Sequence, residues 1–233
     1  MIDIHCHLLY GVDDGPGTIE ESIAMLERAA EQGITDIVLT PHYRRRMFRY
    51  DKELIIENKI TLEPYAEELG INLYLGTEFH VNGDILDYLE SGRCLPLAGG
   101  EYVLTEYEYD TEYSYLFKMT QELLRYGYIP VIAHVERYNC LVTKPQRLEE
   151  LQEIGALIQV NAGAITGHDG WSVKQYCKSI LKKGWVDIVA SDSHGINKRT
   201  CHMAKCYDYI ARKYGEKLAH RLMEKNPRKI IGE

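Results

Sequence analysis

The chain has 233 residues, which suits one α/β domain, and its composition of 45% hydrophobic and 27% charged residues is typical of a folded globular protein. No run approaches the ~18 consecutive apolar residues of a membrane span, and the first residues lack the basic region of a secretory signal. A formal net charge of −8 disfavours sequence-independent binding of nucleic acid. The six cysteines form no CxxC pair, so we expect reduced thiols in the cytoplasm. From the lack of a long apolar run we expect no direct membrane insertion.

Short apolar runs alternate with amphipathic stretches along the chain. The runs, rich in β-branched residues and apolar on both faces like buried parallel strands, cover residues 2–5, 36–40, 72–76, 102–106, 129–133, 157–160 and 186–190. Helical patterns cover residues 18–33, which begin with a Thr18–Glu21 capping box, and 51–69, 112–126, 145–154, 171–183, 200–213 and 215–225.

This alternation of strands and helices predicts βαβ units with a parallel sheet. Seven strands favour a closed or nearly closed barrel, and the absence of a linker rich in Pro, Gly or Ser indicates one domain over residues 1–233. A doubly wound open sheet is the competing architecture, but no Gly-rich dinucleotide loop follows the first strand.

Residue types that bind metals follow the carboxyl ends of most of these strands, which meet at one face of a parallel barrel. Imidazole together with carboxylate suits Zn, Mn or Fe. In the first such segment, two histidines flank Cys6 and point the same way from an extended backbone. The candidate ligands are His5, His7, Asp14, His42, Glu78, Glu106, His134, Asp192 and His194. Nine ligands exceed one tetrahedral site and predict two or three ions.

Any one of these histidines could instead be a hydrogen-bonded core or surface residue, and an HxH pair alone is weak evidence. Five of the nine histidines fall at strand ends, and this joint placement favours a metal site. His168, His202 and His220 lack the placement and are not predicted to be ligands. His80, two residues beyond Glu78 and on the same side of the strand, stays open.

Six motifs together resemble the polymerase-and-histidinol-phosphatase (PHP) superfamily over nearly the whole chain. They are DIHCHLLYGVDDGP at 3–16, TPH at 40–42, GTE at 76–78, AHVERY at 133–138, ASDSH at 190–194 and NPRKII at 226–231. DDGP, HVERY and NPRKII resemble, more narrowly, the bacterial tyrosine-protein phosphatases of capsular and exopolysaccharide gene clusters. The resemblance implies a distorted (β/α)7 TIM-like barrel with three divalent metal ions at the carboxyl ends of its strands. Manganese is common in this branch, with iron, zinc or magnesium as alternatives.

The resemblance also distributes the ligands among the ions. One ion would be held by His5, His7, Glu78 and Asp192. Glu78 would bridge to a second ion, which also takes Glu106 and His134. The third would be held by Asp14, His42 and His194.

Two arginines match basic positions that the family places near the phosphate, namely Arg137 and Arg199. For Arg137 the alternative is a structural ion pair with Glu136. Either His42 or a bound water would protonate the leaving tyrosinate, and the sequence does not choose between them.

Two residues depart from the family pattern. Glu108 shares a strand face with Glu106 where a single acid is usual, so it is either a further ligand or a solvated neighbour. His80 stands where an aromatic residue is more usual. In addition, Arg49 and the triplet at 44–46 form a basic cluster that would either guide an acidic phosphopeptide or be a solvated loop.

One motif points to a different mechanism. The segment from Cys206 to Arg212 matches the Cys-x5-Arg pattern of thiol-based tyrosine phosphatases. It contains no glycine and resembles the middle of an amphipathic helix, whose amides are not free to bind phosphate. We therefore expect the match to be accidental.

The sequence thus favours a metal-dependent protein-tyrosine phosphatase in which a hydroxide between the ions attacks phosphorus. The resemblance implies a tyrosine autokinase of capsule or exopolysaccharide synthesis as its partner. Histidinol phosphate or another small phosphomonoester is the alternative substrate. A nuclease is disfavoured by the acidic charge, and a metal-stabilised scaffold bound to a kinase is the non-catalytic alternative.

Overall fold

A computed structural model, which describes residues 1–48 and 50–232, shows parallel strands alternating with helices. The strands are β1 (Ile2–Cys6), β2 (Asp36–Leu39), β3 (His42–Tyr43), β4 (Asn72–Leu75), β5 (Glu78–His80), β6 (Tyr102–Glu106), β7 (Ile129–Ile132), β8 (Leu157–Asn161) and β9 (Ile188–Ala190). The α-helices are α1 (Ile19–Glu31), α2 (Lys52–Glu68), α3 (Ile85–Glu90), α4 (Tyr113–Arg125), α5 (Asn139–Val142), α6 (Arg147–Glu153), α7 (Ala162–Thr166), α8 (Trp171–Lys183), α9 (Met203–Tyr214), α10 (Glu216–His220) and α11 (Asn226–Ile230). Arg49 of the predicted basic cluster lies outside the described residues.

Seven of the nine strands lie at the predicted positions, and the short strands β3 and β5 follow the second and third of these as continuations that were not predicted. Thr40 and Pro41 separate β2 from β3, and Pro41 has no amide to donate to a ladder. Gly76 and Thr77 separate β4 from β5. A Cβ on Gly76 would lie 2.8 Å from Cδ2 of Leu97, so the strand can pass this side chain only at a glycine.

Hydrogen bonding closes the strands into a barrel. The ladders run β1-β2-β4 and β3-β5-β6-β7-β8-β9, and every pair is parallel. After β9, the amide of Asp192 donates to the carbonyl of His5, and the amide of His7 donates to the carbonyl of Ser193, each over 2.9 Å. The barrel is therefore confirmed and the open sheet is excluded.

A slip of register in β1 decides which of its side chains face the barrel interior. Between Asp3 and Cys6 the strand advances three residues while β2 advances two. Before the slip, Ile2 and Ile4 lie in the interior hydrophobic cluster. After it, Cys6 packs in the outer layer and the histidines on either side of it point inward. One extra residue thus converts an apolar interior into a polar one at the carboxyl end.

The apolar interior is filled by strand residues such as Val38, Leu104 and Val131, and it is closed at the amino end by Ile230 and Ile231. These two isoleucines belong to the NPRKII motif, whose function here is therefore packing. A larger cluster fills the space between the strands and the surrounding helices.

The helices largely follow the sequence patterns. Thr18 accepts a hydrogen bond from the amide of Glu21, as a capping residue does, while the carboxylate of Glu21 reaches the Gly17 amide and not that of Thr18. The predicted helical stretch at 215–225 is confirmed, with α10 ending at His220 and a π-helical turn, Arg221–Lys225, following it. The sequence did not indicate the short helices α3, α5, α7 and α11. None of the helices in residues 1–48 and 50–232 has the length and apolar composition needed to cross a membrane.

Candidate metal centre

All nine predicted ligands meet at the carboxyl end of the barrel. Eight of them are buried or nearly so, and Asp14 is the exposed one. Ligand atoms of eight of them, all but His134, form three groups, and within each group every atom lies within 4.8 Å of the others. The groups are His7, Asp14, His42 and His194; His5, His7 and Asp192; and His42, Glu78 and Glu106.

The carboxylate of Glu78 lies at the middle of this centre. Its Oε1 atom is 2.8 Å from Nε2 of His134 and 3.3 Å from Nε2 of His5. Its Oε2 atom is 3.1 Å from Nε2 of His7 and 2.9 Å from Nδ1 of His42. Burial opposes ionisation of Glu78, but His5 and His42 outweigh that effect and hold its pKa well below the usual value.

The three groups resemble the implied ligand sets, with three differences. Glu78 is absent from the group of His5 and Asp192. His42 stands beside Glu78 and Glu106 where the resemblance places His134, whose Nε2 is 3.9 Å from Oε1 of Glu106. His7 joins the group of Asp14 as well as that of His5. The histidine rings therefore connect neighbouring groups into one continuous centre.

Buried atoms without hydrogen bonds show that these residues fit metal ions. Within the described chain, four buried atoms at this centre form no hydrogen bond of acceptable geometry, namely His42 Nδ1, Glu78 Oε2, Glu106 Oε2 and His194 Nε2, although the first two lie 2.9 Å apart. Leaving a buried polar atom unpaired costs about 1–3 kcal/mol, so four in one place indicate a missing partner. Imidazole nitrogens and carboxylate oxygens are the ligands that Zn, Mn and Fe accept together.

The ionisation of the centre reflects its crowding. Burial, together with the negative charge of Glu78, raises the pKa of Glu106 to about 7. Burial lowers the pKa of His42, but the carboxylates of Glu78 and Asp14 outweigh it and raise this pKa to about 11. Burial and the nearby His7 lower the pKa of His194 to about 4. The like-charged pairs, Glu78 with Glu106 and His7 with His194, oppose each other's ionisation, and cations between the carboxylates would relieve that repulsion.

Several supporting residues had no role in the sequence-based prediction. Asp13 accepts a hydrogen bond from Nδ1 of His7 over 2.8 Å. Gln159 accepts one from Nδ1 of His5 over 3.1 Å and another from the amide of His134 over 2.9 Å. The hydroxyl of Tyr138 lies 3.2 Å from Nδ1 of His134. Each contact fixes a ring so that its other nitrogen faces the centre.

Asp192 holds both predicted phosphate-binding arginines. Arg137 donates to Oδ2 over 2.6 Å and Arg199 donates to Oδ1 over 3.0 Å, while Arg199 also donates to Asp14 over 3.0 Å. In the described chain Arg137 forms its ion pair with Asp192 and not with Glu136, which was the alternative. Glu136 instead accepts a hydrogen bond from a backbone amide in β8. About 40% of each guanidinium side chain stays exposed, so both can bind a ligand above Asp192.

The residues that departed from the family pattern lie beside the centre and not in it. Glu108 accepts two hydrogen bonds from Arg44, over 2.9 and 3.1 Å, and its Oε1 atom is 3.2 Å from Nε2 of His80. In the described residues neither Glu108 nor His80 belongs to a metal-type group. The basic cluster is partly neutralised, because Arg45 forms a further ion pair with Asp84.

The Cys-x5-Arg match is structurally incompatible with phosphate binding by its loop. Cys206 is fully buried in the interior of α9, and burial raises the pKa of its thiol. The helix engages the amides that such a loop would have to offer. The match is therefore accidental, as the sequence pattern predicted.

Comparison with known proteins identifies close relatives. A family model described as capsular polysaccharide synthesis, CpsB/CapC, matches residues 1–232. The chain is 37% identical to the tyrosine-protein phosphatase CpsB of Streptococcus pneumoniae, over 99% of this chain and 98% of that protein. It is 30% identical to the tyrosine-protein phosphatase YwqE of Bacillus subtilis, over 96% of this chain and 89% of that protein.

Solved structures agree with these relationships. A structure from work on YwqE of Bacillus subtilis and CpsB of Streptococcus pneumoniae, described as unique metal-dependent tyrosine phosphatases, matches with a TM-score of 0.91 and 30% identity. That match covers 99% of this chain and 94% of the other. An organophosphorus hydrolase variant from Deinococcus radiodurans, at 14% identity and a TM-score of 0.66, shares the fold alone and covers 99% and 92% of the two chains.

Proposed function

Because the chain belongs to the CpsB/CapC family of capsular polysaccharide synthesis proteins, we infer that it is a metal-dependent protein-tyrosine phosphatase, a hydrolase of phosphoric monoesters. The observation that carries this conclusion is the convergence of nine imidazole and carboxylate side chains around Glu78. Four buried ligand atoms there have no hydrogen-bond partner, as expected of side chains that bind metal.

We propose that the centre holds three divalent ions, with manganese as the native metal. This number is supported by three groups of ligand atoms, in each of which all atoms lie within 4.8 Å of one another. The residues that would hold the ions are His5, His7, Asp14, His42, Glu78, Glu106, His134, Asp192 and His194. When bound, such ions activate a water at neutral pH and neutralise charge on the phosphoryl oxygens.

The residues of the chain itself bind and orient the phosphate. Arg137 and Arg199 approach Asp192 from its two oxygens, so their remaining N–H groups can donate to different oxygens of one phosphoryl group. Donors fixed in advance by Asp192 stabilise the charge that develops in the transition state. Tyrosinate leaves with little assistance because the pKa of the parent phenol is about 10, and either His42 or a bound water would supply its proton.

The acidic composition is compatible with an anionic substrate under this proposal. Three divalent ions would bring the formal charge from −8 to about −2 and concentrate positive charge at one end of the barrel. We propose a cytoplasmic phosphatase whose physiological substrate is a phosphorylated tyrosine autokinase of surface polysaccharide synthesis. The description of the matching family supports the link to capsule synthesis.

The proposal is tested with purified protein and two substrates. Treatment with a chelator should abolish hydrolysis of a phosphotyrosine peptide, and Mn²⁺ should restore it. Full activity in a preparation verified to be free of metal would refute the metal-dependent mechanism. Faster hydrolysis of histidinol phosphate than of the peptide would instead retain the centre and replace the substrate. Dephosphorylation of the purified autokinase then tests the partner separately.

A further inference from the structure

A pocket of about 430 Å³ opens directly beside the metal centre. We call it the aryl pocket. Glu106, His134 and Arg137 of the predicted metal and phosphate site line it, and its aromatic and aliphatic lining comes from Tyr107, Tyr109, Tyr138 and Val173. The remaining lining residues are charged, namely Arg44, Glu108, Glu136 and Asp169. A phosphate ester bound at the centre therefore has an apolar surface next to it.

Arg137 and Asp169 line both this pocket and a second one. The second pocket, of about 470 Å³, contains Arg137, Asp192 and Arg199 and is otherwise lined by polar groups such as His168 and Lys198. Of the two pockets, only the second is lined by Asp192 and Arg199, and only the aryl pocket is lined by Tyr109, Tyr138 and Val173. The two pockets thus offer one place for phosphate oxygens and another for the organic group esterified to them.

The side chain of Tyr109, at the aryl pocket, contributes little to the packing of the fold. Its side chain is 68% exposed, and in residues 1–48 and 50–232 it has no hydrogen-bond or ring partner. Its backbone is nevertheless held, because its carbonyl accepts a hydrogen bond from the amide of Asn139 over 3.0 Å. An aromatic ring exposed on a fixed backbone beside an active centre is positioned to contact a ligand at little cost in conformational entropy.

A larger cleft elsewhere on the described surface does not offer the same geometry. It has a volume of about 680 Å³ and is lined by residues such as Arg46, Phe48, Lys52 and Arg93. None of the nine predicted metal ligands lines it. A group joined to the phosphate through one ester oxygen would have to begin at those ligands, so the aryl pocket is the better fit.

We propose that the aryl pocket binds the phenyl ring of the substrate phosphotyrosine and that Tyr109 determines specificity by packing against that ring. This inference rests on the proposed phosphatase function and adds the means by which aryl esters are preferred to alkyl esters. A phosphoserine would place only a short methylene between phosphate and backbone and would leave the pocket empty. A pair of aromatic rings contributes binding free energy beyond that of the apolar area it buries. Loss of such a pair corresponds to about a five- to tenfold loss of affinity.

The test compares Tyr109→Ala and Tyr109→Phe with Tyr126→Ala in manganese-loaded protein. Tyr126 is a matched control, since it is 54% exposed and follows α4 at the opposite end of the barrel. The probes are a phosphotyrosine peptide as substrate and two inhibitors, benzylphosphonate with a ring and methylphosphonate without one. Tyr109→Ala should raise KM for the peptide and the inhibition constant of benzylphosphonate about five- to tenfold. The kcat and the inhibition constant of methylphosphonate should not change.

The conservative variant and the control distinguish contact from structure. Tyr109→Phe should restore the wild-type constants, because it keeps the ring, and Tyr126→Ala should match the wild type throughout. An equal effect of Tyr109→Ala on both phosphonates, or no effect on either, would overturn the inference while the phosphatase function stood. Absence of phosphotyrosine hydrolysis by the wild-type holoenzyme would instead refute the proposed function itself.

Discussion

Asp13 holds the ring of His7 from behind the metal centre, with Oδ2 of the carboxylate 2.8 Å from Nδ1 of the imidazole. The same oxygen accepts a hydrogen bond from the amide of His42 over 3.0 Å. The other oxygen, Oδ1, accepts one from the amide of Gly15 over 3.0 Å. One buried carboxylate thus fixes a ligand ring, the start of β3 and the turn that carries Asp14. The centre depends on this residue although it is not a predicted ligand.

Replacement of Asp13 by alanine should therefore weaken metal binding without removing a ligand. Loss of a carboxylate that orients a ligand histidine typically lowers metal affinity by about 10- to 100-fold. The Mn²⁺ concentration that half-restores activity after chelation measures this change. Glu31→Ala, which removes an exposed carboxylate paired with Arg28, is the control and should leave that concentration unchanged. A wild-type Mn²⁺ requirement in Asp13→Ala would show that His7 is oriented by other contacts.

The backbone of Arg199 allows its function to be separated from its contribution to stability. Its φ of +48° lies in the left-handed region, which costs an L-residue about 1–2 kcal/mol and costs glycine almost nothing. Arg199→Gly and Arg199→Ala both remove the guanidinium and should raise the inhibition constant of inorganic phosphate equally. The glycine variant should be more stable than the alanine variant by about 1 kcal/mol in urea unfolding. Wild-type inhibition by phosphate in both variants would exclude Arg199 from the phosphate site.

The residue pattern predicted most of the strand positions and the convergence of the nine candidate ligands, while their binding of metal stays a prediction. Apolar runs mark strands, and the carboxyl ends of parallel strands must meet, so ligands far apart in sequence could be grouped. The sequence did not predict features that depend on a single tertiary contact. One example is the break between β4 and β5 at Gly76, which lies against the side chain of Leu97. Likewise, the slip of register after Asp3 is a tertiary feature of two paired strands and leaves no periodic signal.

The supporting residues were missed for a different reason. Gln159 lies on β8, which has no residue of a typical metal-binding type, so the search for ligands passed over it. A signal was available, because Gln159 and Asn161 alternate as polar residues in an otherwise apolar strand and therefore share its inward face. Gln159 donates to Asn161 over 2.8 Å, and Asn161 donates to Asp192 over 2.8 Å. Polar residues facing a barrel interior require partners, and here the partners are ligands.

The buried thiol of Cys206 provides a direct test against a thiol-based mechanism. Because the thiol is fully buried and its pKa is raised by burial, Cys206→Ala should retain the wild-type kcat and KM in manganese-loaded protein. Alkylating reagents should first modify Cys140, which is the one partly exposed thiol of the six, and should leave activity intact. Loss of turnover in Cys206→Ala with all metal still bound would require a covalent cysteine intermediate.

Gly15 and Gly17 are a matched pair for testing the turn that connects Asp14 to α1. A Cβ on Gly15 would lie 2.4 Å from the carbonyl oxygen of His7 and 3.0 Å from Oδ1 of Asp13. A Cβ on Gly17 would meet nothing closer than a side-chain oxygen of Glu21 at 3.6 Å, an ordinary contact.

Gly15→Ala should therefore displace the turn, whereas Gly17→Ala should be accommodated. We expect Gly15→Ala to lose about 1–3 kcal/mol of stability, because the clash involves backbone that cannot move aside, and to require more Mn²⁺ for activity. Gly17→Ala should be neutral or more stable by about 0.4–1 kcal/mol, since alanine restricts the unfolded chain. Urea unfolding of the metal-free proteins and Mn²⁺ titration of their activity measure the two effects. Equal behaviour of both variants would mean that the close approach of Gly15 to His7 does not position the ligands.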